Sequence, residues 1–311
     1  MANADAVRRV PPGRSRQGVA VRLVSKPVSW EGIPLQEAEL MLVRRGRTLV
    51  GTLTAGALLA GACSSVTAPD GVSGRSILFI GNSLTYVNDL PAMVAKVAEA
   101  ADDSIHVAMV AGPNLAVIDH VKGATDAVAQ IGRGRWSFVV LQQGPTPAGV
   151  CRDTLVIAAM RLAPQIERVE ARAALFLPWA RRQYPRSLEA AGQSAGLAAR
   201  AVGGAVVPIG IAWRDALRAD AALPLYGPDG YHPAPAGTLL AALTLYDRLF
   251  GRDVRDIPVE SLANLPAVPL TSAQVRVLAA AAHSASESWP ADSPTPVPVD
   301  TTTPSAEPGP C

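Results

Sequence analysis

Short apolar segments alternate with longer segments of helical periodicity through most of this 311-residue chain. Residues 138–141, Phe-Val-Val-Leu, are apolar at every position, as expected for a strand that is buried on both faces. Strands that alternate with helices are typical of a parallel sheet covered by helices on both sides. The alternation therefore predicts an α/β fold, a three-layer α/β/α sandwich around a five-stranded parallel sheet of the flavodoxin-like type.

Five strands and seven helices are predicted from this pattern. The strands occupy residues 76–80, 105–110, 138–142, 173–177 and 205–209. The helices occupy residues 90–101, 115–131, 154–171, 187–202, 212–219, 235–250 and 271–287. Pro164 is expected to break or bound the third helix, because proline lacks the amide hydrogen that a helix interior requires. Ligands of such sheets bind beyond the carboxyl ends of the strands, so we expect a site at that edge.

Residues 41–63 have the parts of an export signal. An arginine-rich start is followed by an uncharged, largely apolar stretch over 48–62, which is shorter than the about 20 residues that a spanning helix needs. The stretch ends in Leu-Ala-Gly-Ala before Cys63 and resembles a bacterial lipobox, in which the cysteine is lipid-modified. The resemblance implies a lipoprotein anchored at the periplasmic or extracellular face of a bacterial envelope. An ordinary secretory signal and a short membrane anchor are the alternatives.

Other segments differ in composition from the central part of the chain. Residues 1–40 precede the export signal and are interpreted as a non-native extension, since a cleavable signal normally begins a chain. Residues 64–74 are rich in Ser and Gly and predict a linker. Residues 75–287 form the predicted folded domain. Residues 288–311 are rich in Pro, Thr and Ser and predict a disordered tail.

Charge and cysteine content exclude several classes of function. The chain has 28 Lys and Arg against 26 Asp and Glu, and the resulting net charge of +2 indicates no nucleic-acid partner. Its three cysteines have no spacing typical of metal ligands and are too few for a disulfide framework. We therefore expect no metal ion and no cofactor.

A serine and a histidine are placed as nucleophilic catalysis would require. Ser83 follows the first predicted strand, and His232 lies in a loop rich in Gly and Pro, three residues after Asp229. A serine hydroxyl attacks a carbonyl only when a base accepts its proton, and a carboxylate commonly orients that base. The sequence around Ser83 does not form a G-x-S-x-G elbow, because Thr85 stands at the second glycine position, and no glycine-rich nucleotide loop follows the first strand. By itself, Ser83 would be read as a turn or cap residue.

Two short motifs resemble a known superfamily. Residues 80–85, Ile-Gly-Asn-Ser-Leu-Thr, resemble the first sequence block of the SGNH (GDSL-like) hydrolases, with Asn82 in place of the usual Asp. Asp229-x-x-His232 resembles the last block, and the likeness extends from residue 76 to about residue 250. The resemblance implies an SGNH-like hydrolase domain over 75–287 that cleaves esters through Ser83, His232 and Asp229.

The resemblance also implies which groups stabilise the oxyanion. The expected donors are the N–H groups of Ser83 and Gly112 and a side-chain amide after the third strand. The family's usual Asn is missing there, and the chain instead resembles an uncharacterised bacterial subgroup that has Gln at this point. A glutamine side chain also carries an N–H₂ donor and can take this role, and alignment with the family's third block favours Gln142 over Gln143.

Further residues near the predicted strand ends are candidates for a substrate pocket. They are Asn82, Asn114, Trp179 and Tyr231. Trp179 fits core packing equally well, and His120 is interpreted as structural because it falls inside a predicted helix. Three arginines follow the fourth strand and could recognise an anion, although such runs are more often solvated loops. They are Arg181, Arg182 and Arg186.

The sequence thus predicts an exported serine esterase of SGNH type. Its expected substrate is an acyl or acetyl ester on a carbohydrate or another envelope component, so a deacetylase is included. Two alternatives remain: a non-catalytic ligand-binding lipoprotein on the same fold, and an SGNH-type O-acyltransferase in which a sugar hydroxyl replaces water.

Overall fold

The computed structural model describes residues 75–144 and 149–289. The predicted N-terminal extension, export signal, lipidation site Cys63 and linker lie outside the described residues, as does the predicted tail from residue 290 onward. Within the described ranges, no helix combines the length and the apolar character that crossing a membrane would require.

Five parallel strands form one sheet in the order β2-β1-β3-β4-β5. They are β1 (Arg75–Gly81), β2 (Ile105–Ala111), β3 (Phe138–Gln142), β4 (Arg172–Phe176) and β5 (Ala205–Val207). Side chains of β1 alternate between two separate hydrophobic clusters: Ile77 and Phe79 belong to one, and Leu78 and Ile80 to the other. The uniformly apolar strands are therefore explained by burial on both faces, and the predicted fold class is confirmed.

Helices cover both faces of the sheet. They are α1 (Ser83–Tyr86), α2 (Leu90–Ala100), α3 (Val117–Val121), α4 (Ala127–Arg133), α5 (Gly149–Arg168), α6 (Ser187–Ala201), α7 (Ile209–Ala219), α8 (Pro235–Phe250), α9 (Val259–Ala263) and α10 (Ser272–Ser288). Helices α2, α7, α8 and α10 supply the cluster that contains Phe79, and α3, α4, α5 and α6 supply the other. Helix α8 contacts α2, α7 and α10, so it is enclosed almost all round.

Some element boundaries differ from the prediction for clear reasons. The helix predicted over 115–131 is two short helices, α3 and α4, separated by a turn in which Gly123 has φ of +90°. The break predicted at Pro164 is wrong, because this exposed proline lies inside α5. The carbonyl that it leaves without a partner belongs to Met160, which is 54% exposed, so water can replace the missing donor.

The folded domain includes residues beyond its predicted limit of residue 287. Helix α10 continues to Ser288, and the following Trp289 is buried in the cluster that contains Leu78. Residues 288 and 289, which were assigned to the predicted tail, therefore belong to the folded domain, and residues 290–311 lie outside the described residues. The burial of a large aromatic side chain outweighs the polar composition around it.

Candidate active site

Ser83 is presented by a tight turn at the carboxyl end of β1. This serine turn comprises residues 81–85, and its serine is the first residue of α1. Asn82 caps the helix, because its Oδ1 accepts a hydrogen bond from the Leu84 N–H at 3.1 Å. The N–H groups of a first helical turn have no acceptor inside the helix, which leaves the Ser83 N–H available for a ligand. Ser83 itself is only 9% exposed.

A histidine loop, residues 226–233, brings the imidazole of His232 to this turn from the other end of the domain sequence. Its Nε2 lies 2.9 Å from the Ser83 Oγ, and its Nδ1 lies 2.5 Å from the Asp229 Oδ2. Hydroxyl, imidazole and carboxylate therefore form one hydrogen-bonded line, as a nucleophile, its base and the group orienting that base would. Ser83 and His232 are 149 residues apart in sequence.

Asp229 is held in place by its own loop. Its Oδ1 accepts hydrogen bonds from the backbone N–H groups of Tyr231 and His232, each at 3.0 Å. Partial burial raises the pKa of this carboxyl, but the hydrogen bonds from the His232 side chain and the two backbone groups outweigh it and lower the pKa to about 2. Asp229 is therefore ionised at neutral pH and can stabilise a protonated imidazole.

Neighbouring side chains fix the backbone of the histidine loop. The Trp179 indole N–H donates to the Tyr231 carbonyl at 2.9 Å, and Asn88 Nδ2 donates to the Pro233 carbonyl at 2.8 Å. Asn88 was missed in the sequence analysis. Its signal was a weak one, an Asn-Asp pair just before a helix, and both residues of that pair adopt positive φ.

Trp179 and Tyr231 differ in their access to a substrate. Trp179 is 1% exposed and stacks on Trp213 with ring centroids 4.1 Å apart, so the expected pocket role is wrong and the core alternative holds. Tyr231 is half-buried, and its ring centroid lies 4.9 Å from that of His232. The Arg181 guanidinium lies over the Tyr231 ring at 3.7 Å. Tyr231 and Arg181 therefore lie beside the imidazole, at one side of the candidate site.

The chain is similar in structure to several known proteins. No protein-family model matches the chain, and no curated protein matches its sequence. A crystal structure of a DUF4886 family protein from Bacteroides uniformis is 17% identical with a TM-score of 0.54, over 68% of this chain and 94% of that chain. The "putative SGNH hydrolase" from Slackia heliotrinireducens is 25% identical with a TM-score of 0.49, over 56% of this chain and 98% of that chain. The likeness to the DUF4886 family protein shows that the chain shares its overall fold.

Three of the oxyanion donors that the SGNH resemblance implied either donate to a backbone carbonyl or are buried. The Gly112 N–H donates to the Gly81 carbonyl at 3.2 Å. Gln143 Nε2 donates to the Cys151 carbonyl at 2.9 Å. Gln142 is fully buried, and its Nε2 has neither exposed surface nor a partner among the described residues. These expected donors are therefore not presented to a substrate in this structure, and the Ser83 N–H is the expected donor that remains.

Gln142 has a different set of contacts instead. Its Oε1 accepts hydrogen bonds from the Asn82 N–H and from the Thr85 hydroxyl, each at 2.8 Å. A Cβ at Gly81 would lie 2.5 Å from both this oxygen and the Thr85 Oγ1, so glycine is required there by close packing. Gln142 thus stabilises the serine turn through its side-chain oxygen, Oε1.

His120 also supports the serine turn and is structural, as interpreted from the sequence. It is fully buried, with Nε2 3.0 Å from the Gly81 carbonyl and Nδ1 2.8 Å from the Thr125 Oγ1. Burial lowers the pKa of this imidazole, so it is neutral. A carbonyl only accepts, so Nε2 carries the hydrogen and Nδ1 accepts from the Thr125 hydroxyl.

The remaining pocket candidates are Asn114, which lies on the β2–α3 loop (residues 112–116), and Asn82, which lies in the serine turn and contacts that loop. Asn114 is exposed and has φ of +56°, a conformation that is uncommon outside glycine. Asn82 is 5% exposed, and its Nδ2 donates to the Leu115 carbonyl of this loop at 3.0 Å. Of the two, only Asn114 is accessible to a substrate in this structure.

One group of metal-ligand side chains occurs among the described residues, and it lies outside the candidate site. Asp247, Asp253 and His283 place one potential ligand atom each within 4.8 Å of one another. His283 Nδ1 lies 3.0 Å from the Asp247 Oδ2, and Arg255 pairs with Asp253. The Arg255 guanidinium already forms an ion pair with the Asp253 carboxylate. We therefore interpret the three residues as side chains that pair α8, α10 and the 3₁₀ turn Val254–Asp256 with one another.

Proposed function

We propose that this protein is a serine esterase of SGNH type. The observation that carries the proposal is the hydrogen-bonded line from the Ser83 Oγ through His232 to Asp229, with contacts of 2.9 Å and 2.5 Å. His232 accepts the serine proton as Ser83 attacks the ester carbonyl, and Asp229 stabilises the imidazolium that forms. His232 then protonates the departing alcohol, and water cleaves the acyl-enzyme by the same route in reverse.

The Ser83 N–H serves as an oxyanion donor in this scheme. It belongs to the first residue of α1, where backbone N–H groups have no acceptor within the helix. A donor in such a position is worth about 10²–10³-fold in rate.

The substrate class is an acyl or acetyl ester on a bulky alcohol such as a carbohydrate of the cell envelope. Support comes from the openness of the site, since the Asp229 and His232 side chains are 49% and 36% exposed. A site that begins at the protein surface can accept an ester that projects from a large molecule. The same exposure admits water to the imidazole, which favours hydrolysis over transfer to a sugar hydroxyl.

Export and lipid anchoring at Cys63 complete the proposal. Their support is the signal-like composition of residues 41–63 and the small-residue sequence before the cysteine. Metabolic labelling with a fatty-acid analogue tests them: label should be lost in Cys63→Ser and retained in Cys151→Ser. Equal labelling of both variants would exclude a lipid on Cys63.

A fluorophosphonate probe tests the catalytic proposal, because it reacts covalently with activated serines. We expect labelling at Ser83 and hydrolysis of a short-chain aryl ester by the full chain, both lost in Ser83→Ala and His232→Ala. Ser104→Ala and His106→Ala, which alter exposed residues at the opposite edge of the sheet, should behave like the wild type. An unlabelled wild-type protein that hydrolyses no ester of several acyl lengths would contradict the proposal.

One observation favours a second function, a non-catalytic ligand-binding lipoprotein. The Gly112 N–H and the Gln143 amide are both engaged with backbone carbonyls, which leaves fewer oxyanion donors than the SGNH resemblance implied. Fold alone does not guarantee activity. Under this alternative, Ser83→Ala would leave ligand binding intact and the probe would not label the wild type.

A further inference from the structure

The side chain of Asn82 joins two loops at the edge of the candidate site. Its Oδ1 accepts from the Leu84 N–H at 3.1 Å, and its Nδ2 donates to the Leu115 carbonyl at 3.0 Å. The first contact caps α1 behind Ser83, and the second holds the β2–α3 loop against the serine turn. With the residue only 5% exposed, water does not readily replace either partner.

The two contacts make different chemical demands on the residue. Capping needs only an acceptor, and Asp caps a helix about as well as Asn. The contact with Leu115 needs a donor, because a carbonyl oxygen cannot donate. An ionised aspartate would keep the cap and place a second acceptor against the Leu115 carbonyl. An amide at position 82 is therefore required by the β2–α3 loop, and the helix does not require it.

Gln142 connects to the same residue from the other side. Its Oε1 accepts from the Asn82 backbone N–H at 2.8 Å and from the Thr85 hydroxyl at 2.8 Å. The two amide side chains, Asn82 and Gln142, therefore enclose the residue before the serine without using any charge. They are also the two positions at which the chain departs from the SGNH blocks, and they touch.

We propose that Asn82 is a positioning residue that holds the β2–α3 loop at the oxyanion side of Ser83, and that Gln142 acts with it as an acceptor. The inference rests on the proposed esterase function for its kinetic readout only. The loop carries Asn114, the exposed amide, so displacement of the loop alters the surface that meets the substrate. Displacements of about 1 Å can cost about 10²-fold in rate.

The decisive variant is Asn82→Asp, which preserves size and cap. We expect kcat to fall about 10–100-fold at about pH 8 with little change in KM, and the melting temperature to fall by about 4–8 °C because the Leu115 carbonyl loses its donor. The ratio of variant to wild-type kcat/KM should rise between about pH 8 and about pH 5, because burial against the Leu115 carbonyl should raise the pKa of the new carboxyl, and its neutral form regains an O–H donor. A merely structural defect would not recover toward acid. Asn264→Asp, the same change at an exposed position, should leave all three quantities unchanged.

Asn82→Ser separates the two contacts in a second way. A serine hydroxyl can cap Leu84 but is too short to reach the Leu115 carbonyl as well, so we expect the same loss of kcat with no recovery at acid pH. A double-mutant cycle with Gln142→Leu should be non-additive by at least about threefold if both residues act on one turn. If the effects of the two substitutions on kcat are additive, Gln142 acts independently of Asn82.

Hydrogen exchange makes the test independent of esterase activity. The backbone N–H groups of Gly112 and of residues 114–117 should exchange faster in Asn82→Asp than in the wild type or in Asn264→Asp. If exchange is faster in Asn82→Asp but the wild type has no esterase activity, the proposed function is contradicted, while the contact between Asn82 and the β2–α3 loop is supported. Wild-type exchange together with wild-type kcat/KM in Asn82→Asp would overturn the positioning role.

Discussion

The serine turn and the histidine loop present their two catalytic candidates in opposite ways. Around Ser83, the supporting side chains of Asn82, Gln142 and His120 are buried and neutral. Around His232, the partner Asp229 is charged and half exposed, and the loop is held mainly through its backbone. The comparison indicates that Ser83 is fixed by packing that tolerates little change, while His232 is fixed by a few replaceable hydrogen bonds.

Replacement of Asp229 tests the charged side of this comparison and has the largest expected effect. Asp229→Asn removes the charge that would stabilise imidazolium and presents an N–H₂ or a neutral oxygen to Nδ1. We expect kcat/KM for an aryl ester to fall by about 10³–10⁴-fold, with the melting temperature only a few degrees lower at neutral pH.

The control for this experiment is Asp126→Asn, an exposed aspartate at the start of α4. A loss of less than about tenfold in Asp229→Asn would mean that the carboxylate only positions the loop, and that its charge contributes little.

A methyl group at Gly81 tests the packed side. Its Cβ would meet Gln142 Oε1 and Thr85 Oγ1 at 2.5 Å, so Gly81→Ala should destabilise the protein by about 1–3 kcal/mol in chemical denaturation. Gly132→Ala is the matched control, because nothing lies within 4 Å of its Cβ and helix α4 should gain about 0.5–1 kcal/mol. Equal stability of the two variants would show that the serine turn is more adaptable than its contacts suggest.

Loss of Asn88 tests how replaceable the hydrogen bonds of the histidine loop are. Asn88→Ala removes the contacts to the Pro233 carbonyl at 2.8 Å and to the Thr238 hydroxyl at 3.0 Å. Asn88 itself is exposed, so water can enter the position that its amide leaves, and we expect a cost of about 0.5–1.5 kcal/mol in unfolding free energy and a modest fall in kcat. Asn88→Asp keeps an acceptor but no donor, and it should behave like Asn88→Ala if donation is what matters.

Acid titration should have the smallest effect, and its sign follows from Asp229. The folded-state pKa of about 2 lies below the ordinary value of 3.8, so this carboxylate contributes stability above about pH 4. That contribution is lost as pH falls toward about 2. Melting temperatures of wild type and Asp229→Asn should therefore converge over this interval. Curves that remain parallel would indicate an unperturbed carboxyl.

Much of the fold was accessible from local sequence. The strand over 138–142 and the helix over 235–250 were predicted at the bounds that the structure has, because apolar pattern and the Pro235 start are local signals. The split of 115–131 was missed because the turn at Gly123 interrupts an otherwise helical pattern. Trp289 was assigned to the tail because its burial depends on residues far away in sequence.

The site was predicted less evenly. Sequence motifs singled out Ser83, Asp229 and His232, which the structure brings within hydrogen-bonding distance. The roles expected for Gly112 and Gln142 depend on which atoms their donors and acceptors face, and sequence does not give that. A glutamine that offers its oxygen to one loop and one that offers its nitrogen to a substrate look identical in one-letter code.

Helix α8 begins two residues after the histidine loop and is among the most enclosed elements of the domain. Its neighbours on three sides, α2, α7 and α10, would all have to separate before its first turn could unwind. Heat should therefore not release the imidazole ahead of the rest of the molecule. Inactivation and global melting are expected to coincide in a single cooperative transition, even though the histidine loop itself lies at the surface.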